Sequence, residues 1–234
     1  MNKYVRTLTV TYDIDIENWE VPLFRGAVIN AMGTSANMLF HNHIGDDEFR
    51  YRYPLVQYKR LGGKAAIVAV AQGADIIGQF MTSGCNEFKL GERMAPFNVA
   101  QLRPNRMLVQ LWQSPFHYHV HRWLPLNGKN YELYNATQDA EERKAMLEAI
   151  LRGNLLAMLK GIGIWIEGNL TVRIVNLTEP YLLRYKEVNL MAFNADFDSN
   201  LTIPANVGLG KHASVGFGTV NRLSKAKDET NNNQ

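Results

Sequence analysis

Cysteine is nearly absent from this chain. Cys85 stands alone, so no disulfide can form within it. A reducing, cytoplasmic setting is the matching expectation. Long apolar runs are missing too. The longest, Ala65–Ala71, is far short of the ~20 residues that a membrane-spanning helix needs, so no membrane partner is expected. The start of the chain, MNKYVRTLTV, alternates in polarity and lacks the apolar core of an export signal. Charged residues make up 20% and apolar residues 46% of 234. Those ordinary proportions exclude collagen, coiled coil and disorder for most of the chain. The length suits one large domain or two of about 100 residues each.

Acids are missing from three stretches. Phe49–Ala74 carries Arg50, Arg52, Lys59, Arg60 and Lys64 with no carboxylate. Arg93–Tyr131 carries Arg93, Arg103, Arg106, Arg122 and Lys129, again unopposed, and Ser199–Lys227 carries Lys211, Arg222, Lys225 and Lys227. The acids gather elsewhere, as at Asp13, Asp15, Glu17 and Glu20. The net charge of +3 is small, but charge sorted in this way can build a basic face for a polyanion. The competing reading is a set of solvated loops and strand edges that never meet.

Hydrophobic periodicity divides the chain in two. Tyr4–Ile16 alternates as a strand, and Leu23–Asn37 places Phe24, Ala27, Val28, Ala31 and Met32 on one helical stripe. Tyr53–Arg60 and Lys64–Val70 read as strands joined by a turn at Leu61-Gly62-Gly63-Lys64. Asp75–Thr82 reads as a helix and Glu87–Glu92 as a closing strand, which makes a β-α-β-β-α-β unit. The second half repeats the theme. Met107–Trp123 reads as one long strand or two, and Thr137 and Asp139 are candidate caps for a helix ending near Lys160 and Gly161. Trp165–Leu177 and Tyr185–Phe197 read as strands, and a glycine-rich segment follows. The expected fold is therefore α+β with antiparallel sheets, in two tandem ferredoxin-like (RRM-like) domains, the second a diverged copy of the first. The expected limits are residues 1–98 and 99–227, followed by a polar tail at 228–234.

The glycine-rich segment runs Gly208-Leu209-Gly210-Lys211-His212-Ala213-Ser214-Val215-Gly216-Phe217-Gly218. Glycines allow close backbone approach and can turn N–H groups toward phosphate oxygens, to which Lys211 adds a cation. It is neither a Walker loop nor a dinucleotide fingerprint. A tight turn would need the same residues. Two histidine sets also stand out. His41-Asn42-His43 follows the first helix. Histidine titrates near neutrality, so a pair can serve as base and acid. His117, His119 and His121 share one face of a strand, a spacing open to a metal, an RNA-facing strand or plain solvent exposure. Trp112, Phe116, Tyr118 and Trp123 read as a core stripe, and so does Met146–Met158.

The GLGK-xxSxGFG stretch resembles the glycine-rich loop of the RAMP superfamily of CRISPR-associated proteins. It looks most like the endoribonucleases that cut precursor CRISPR RNA. Asn154–Gly163, Met191–Phe197, Leu201–Pro204, His41–His43 and Tyr51–Lys59 share the likeness. The resemblance implies two ferredoxin-like domains packed side by side, RNA held in a basic cleft and metal-independent cutting, with no cofactor. His41 and His43 would share the acid–base work, in either order. Lys59 or Lys64 would stabilise the transition state, with Tyr53 as a further polar group. RNA would be held by Gly208, Gly210, Lys211, Gly216, Phe217 and Gly218, and by Arg50, Arg52 and Arg60. The implied partner is CRISPR repeat RNA, with other CRISPR-associated proteins and a homodimer also admitted. Two alternatives stay open. One is a non-catalytic RNA-binding subunit of the same superfamily. The other is a metal-dependent hydrolase or oxygenase centred on His117, His119 and His121.

Overall fold

The computed structural model describes residues 4–32, 53–82, 87–96 and 98–224. His41, His43, Arg50, Arg52, Tyr51, Cys85, the end of the expected first helix and the 228–234 tail lie outside the described residues.

The first sheet begins with β1 (Tyr4–Asp15). Its alternation buries Leu8, Val10, Tyr12 and Ile14 on one face, where α1 (Val21–Met32) and α2 (Gln72–Met81) bring Phe24, Val28, Ile77 and Phe80. A hairpin of β2 (Val56–Leu61) and β3 (Lys64–Val70) lies between the helices in sequence. The expected closing strand differs. Glu87–Leu90 (β4) pairs instead with Arg93–Pro96 (β5) in a separate two-stranded hairpin. The fourth strand of the sheet is β6 (Val99–Leu108), which runs antiparallel along β1 from Tyr4↔Leu108 to Tyr12↔Val99. The sheet order is β2-β3-β1-β6, the ferredoxin-like arrangement. Residues 99–108, expected to open the second unit, thus complete the first sheet. The physical reason is exposure. β6 is solvated on both faces over most of its length and carries Pro104, as edge strands do, so it shows no apolar period.

The second sheet has the order β11-β7-β10-β8, with β7 (Leu111–Trp123), β8 (Val172–Leu177), β10 (Val188–Leu201) and β11 (Thr219–Arg222). Helix α3 (Gly128–Ala136) is capped by the Asn127 side chain, which accepts from the Asn130 N–H. α4 (Ala140–Gly161) is capped by Asp139, which accepts from Glu142, and lays Leu147, Leu151, Leu155 and Met158 on the core. No second helix stands between β10 and β11; residues 202–218 take its place. Two expected strands are shorter or divided. Only Val172–Leu177 of the 165–177 segment is strand, because Gly163 and Gly168 adopt positive φ before it. The 185–197 segment belongs to a hairpin of β9 (Tyr181–Tyr185) and β10, which turns through Lys186 and Glu187 at φ 46° and 63°. Neither turn residue is a glycine or asparagine, so no turn signal marks it.

The aromatic stripe divides as well. Tyr118 and Trp123 are buried, whereas Trp112 is exposed. Their spacing is odd for one strand face. A register shift around Arg122, at φ 51°, restores Trp123 to the core side, where its indole N–H donates to Asn154 at 2.9 Å. Among the described residues, no helix is long and apolar enough to cross a membrane.

Candidate nucleic-acid interface at the junction of the two units

The segment 202–218 leaves β10, crosses to the first unit and returns to β11. It docks on the outer strand of the first sheet. The Tyr58 N–H donates to the Ser214 carbonyl at 2.8 Å, and Tyr58 forms a parallel bridge with Val215. Tyr58 turns its ring into the helix-side core, so Gln57 and Lys59 point to the helix-free side. Both are fully buried there. The Gln57 amide accepts from the Gly208 N–H at 2.7 Å and donates to the Tyr53 hydroxyl at 2.9 Å and the Pro54 carbonyl at 3.0 Å. Lys59 Nζ donates to Thr219 Oγ1 at 3.2 Å and to the Ala213 carbonyl at 3.4 Å. No carboxylate faces it among the described residues. Burial pulls its pKa down from 10.5 to about 7.

The glycines are demanded by packing. A Cβ on Gly218, whose φ is +62°, would stand 1.9 Å from the Leu209 carbonyl oxygen. A Cβ on Gly208 would stand 2.8 Å from the Ala213 carbonyl and 2.9 Å from Lys59 Nζ. The backbone donors are committed as well. The Gly208 N–H serves Gln57, the Gly218 N–H donates to the Arg122 carbonyl at 3.0 Å, and the Lys211 N–H donates to Leu124 at 3.2 Å. An anion cradle built from these amides does not form; the tight-turn reading describes Gly208 and Gly218. What the loop presents to solvent is the side chains of Lys211 and His212.

Several expected site residues are occupied otherwise. Lys59, expected near the reacting phosphate, is enclosed, with its ammonium on Ala213 and Thr219. Lys64 donates to Asp13 at 3.0 Å and Asp15 at 3.2 Å, and those hydrogen bonds raise its pKa. Arg60 donates to the Ile16 carbonyl at 2.6 Å and lies 3.8 Å from Glu17. Lys64 and Arg60 therefore both sit against the acids of the β1–α1 corner. Tyr53 lends its hydroxyl to Gln57, and burial pushes its phenol pKa up. Phe217 is buried beneath the Arg122 guanidinium, whose centre lies 4.7 Å from the ring.

The histidines of β7 occupy the helix-free face of the second sheet. His117 Nδ1 meets Asp198 at 2.5 Å and His119 Nδ1 meets Asp196 at 2.7 Å. Burial, then Arg122 and His119, lower the His121 pKa. Among the described residues, no three His, Cys, Asp or Glu side chains converge as a metal site. Thr219 pairs with His121 across β11 and β7, so the hydrogen bond from Lys59 joins the helix-free faces of the two sheets.

Sequence reasoning missed Gln57, Tyr185 and Lys186 at this junction and placed Arg122 only within an acid-free basic stretch. Only the sequence spacing of the β9–β10 hairpin could have pointed to Tyr185 and Lys186, and its turn carries no composition signal.

The comparisons with known proteins agree with this architecture. A family model described as the Cas6b N-terminal domain matches residues 3–107, and one described as the Cas6b C-terminal domain matches residues 110–223. The gap between them falls where the chain passes from the first sheet to the second. A solved crystal structure of Cas6b is 25% identical with a TM-score of 0.83, covering 94% of this chain and 100% of that one. A CRISPR RNA processing endoribonuclease Cas6b shares the fold at 24% identity and a TM-score of 0.69, again covering 94% of this chain and 100% of that one. An uncharacterized protein of Methanocaldococcus jannaschii is 35% identical over 103 residues, which are 44% of this chain and 69% of that protein.

Proposed function

Since the chain belongs to the Cas6b family, whose two domain models between them span residues 3–107 and 110–223, we propose that it is an endoribonuclease that cuts precursor CRISPR RNA within the repeat. The observation that carries this reading is the match of both family models in register with the two ferredoxin-like units.

The proposed chemistry is in-line attack by the ribose 2′-OH on the adjacent phosphorus. One imidazole of His41 and His43 takes the 2′-OH proton. The new O–P bond forms as the P–O5′ bond breaks, and the other imidazole returns a proton to the departing 5′-oxygen. The products are a 2′,3′-cyclic phosphate and a 5′-OH. The step needs no oxidant and no metal-bound water. Charge on the phosphorane requires a cation that can reach it. The two lysines proposed for that task are Lys59, which is enclosed, and Lys64, which would exchange Asp13 and Asp15 for the phosphate.

The test is cleavage of repeat RNA in excess EDTA, with a substrate carrying 2′-deoxyribose at the cut site as control. Cutting of the ribose substrate alone is the expected result. His41→Ala with His43→Ala should abolish it and spare binding. Tight binding by the wild-type chain without cutting would refute the nuclease and leave a non-catalytic RNA-binding subunit.

A further inference from the structure

The tip of the β9–β10 hairpin meets the turn of the glycine-rich loop, and together they gather three rings. The Tyr185 and His212 ring centres lie 4.5 Å apart, with planes tilted by 41°. Phe217 closes the triangle at 5.5 Å from Tyr185 and 5.9 Å from His212. Phe217 is buried and Tyr185 half-buried, so His212 is the ring turned to solvent. Both supporting turns hold non-glycine residues at positive φ: Lys186 at 46°, Glu187 at 63° and His212 at 56°. Such residues are uncommon in that region and persist where surrounding contacts enforce it.

Cations surround this triangle. Lys186 Nζ lies 5.8 Å from the Tyr185 ring centre, and the Arg122 guanidinium covers Phe217. Partial burial lowers the His212 pKa, and Lys211 and Lys186 add to that effect. Burial raises the Tyr185 phenol pKa, against the opposing pull of Arg25 on α1. The acid of the hairpin, Glu187, is engaged by Arg184. Lys186 and Lys211 have no ion pair among the described residues, and both are exposed. Like charges held together beside an exposed ring cost stability unless an anion joins them, and a nucleotide supplies both an anion and a flat face.

We propose that this notch is a stacking site for one unpaired RNA base, which lies on His212 with Tyr185 and Phe217 behind it, while Lys186 and Lys211 hold the flanking phosphates. The choice of RNA rests on the function proposed above; the ring triangle and its cations stand on the structure. A base in a continuous duplex has both faces covered, so the site selects a single-stranded or flipped-out nucleotide. No atom of the site takes part in bond breaking. Its part would be to fix the register of the repeat.

The test uses the full chain and a set of repeat RNAs, each with 2-aminopurine at one unpaired position. His212→Asn removes the ring and keeps a residue type that tolerates positive φ, while His212→Phe keeps a ring without the imidazole. Binding should weaken roughly five- to a hundred-fold in His212→Asn and recover in His212→Phe, with unchanged melting temperatures. One 2-aminopurine position should lose its quenching in His212→Asn. Lys186→Gln with Lys211→Gln should flatten the slope of log K against log salt by about 1.4, the loss of two single-strand phosphate contacts. If the wild-type chain binds repeat RNA and His212→Asn binds equally well with the same quenching, the stacking site is refuted while the RNA reading stands. If the wild-type chain binds no RNA, both fall.

Discussion

Replacing Lys59 by methionine should make this protein more stable at pH 6 and change its stability little near pH 9. The lysine stem already fills a fully buried position, and methionine fills a similar volume without a charge. The folded chain releases the Lys59 proton near pH 7, whereas the unfolded chain keeps it to about 10.5. Between those values unfolding takes up a proton, so stability rises with pH at about 1.4 kcal/mol per pH unit. Below pH 7 both states are protonated and the full burial cost remains. The interval from 10.5 to about 7 corresponds to a cost of about 5 kcal/mol. Methionine removes that cost. It also forfeits the hydrogen bonds to Thr219 and Ala213, at about 1 kcal/mol each. The expected net gain at pH 6 is therefore about 3 kcal/mol.

Urea unfolding of the wild-type and Lys59→Met chains from pH 6 to 10 reads this directly. The difference between the two curves cancels groups that titrate in both. The gap should be widest at or below pH 7 and close steadily above it. A Lys59→Met chain that is less stable than wild type at pH 6, with a gap independent of pH, would refute the reasoning. It would mean that Lys59 has an anionic partner and is retained as an ion pair.

Two further substitutions probe the junction. Gly218→Ala would place a Cβ 1.9 Å from the Leu209 carbonyl at a φ of +62°, so it should cost several kcal/mol and loosen the 208–218 segment. Hydrogen exchange at the Leu209 and Gly218 amides checks this, and unchanged protection would count against it. Gly161→Ala would place a Cβ 2.4 Å from the Tyr53 Cβ and should cost about 1–3 kcal/mol in urea unfolding, where an unchanged midpoint would show that the end of α4 can shift freely.

Much of the fold was legible because it is written in local periods. The alternation of β1, the stripe of α4 with Asp139 as its cap, and the glycines of the β2–β3 turn each act within a few residues. The tandem ferredoxin-like order follows from them. β6 escaped because a strand solvated on both faces leaves no apolar period. The β4–β5 hairpin escaped because its segment reads equally well as a single strand. The division at Lys186 and Glu187 escaped because the turn uses residues that normally avoid its backbone conformation.

The site was legible in kind and not in role. The glycine-rich segment, its family likeness and the basic stretches all stood in the sequence. Which amides were free, and which cations, did not. Gly208 is held by Gln57 from 151 residues away, and Lys59 by Thr219 from 160. Lys64 finds its acids on β1, and the His212 ring finds Tyr185 on another hairpin. A lysine or glycine carries the same letter whether it faces water or another backbone. The sequence alone determined the local elements and their order, since those depend on neighbours a few residues apart. The tertiary structure alone decided which polar groups are already satisfied and which still face solvent, because burial and partnership arise from contacts between units distant in sequence.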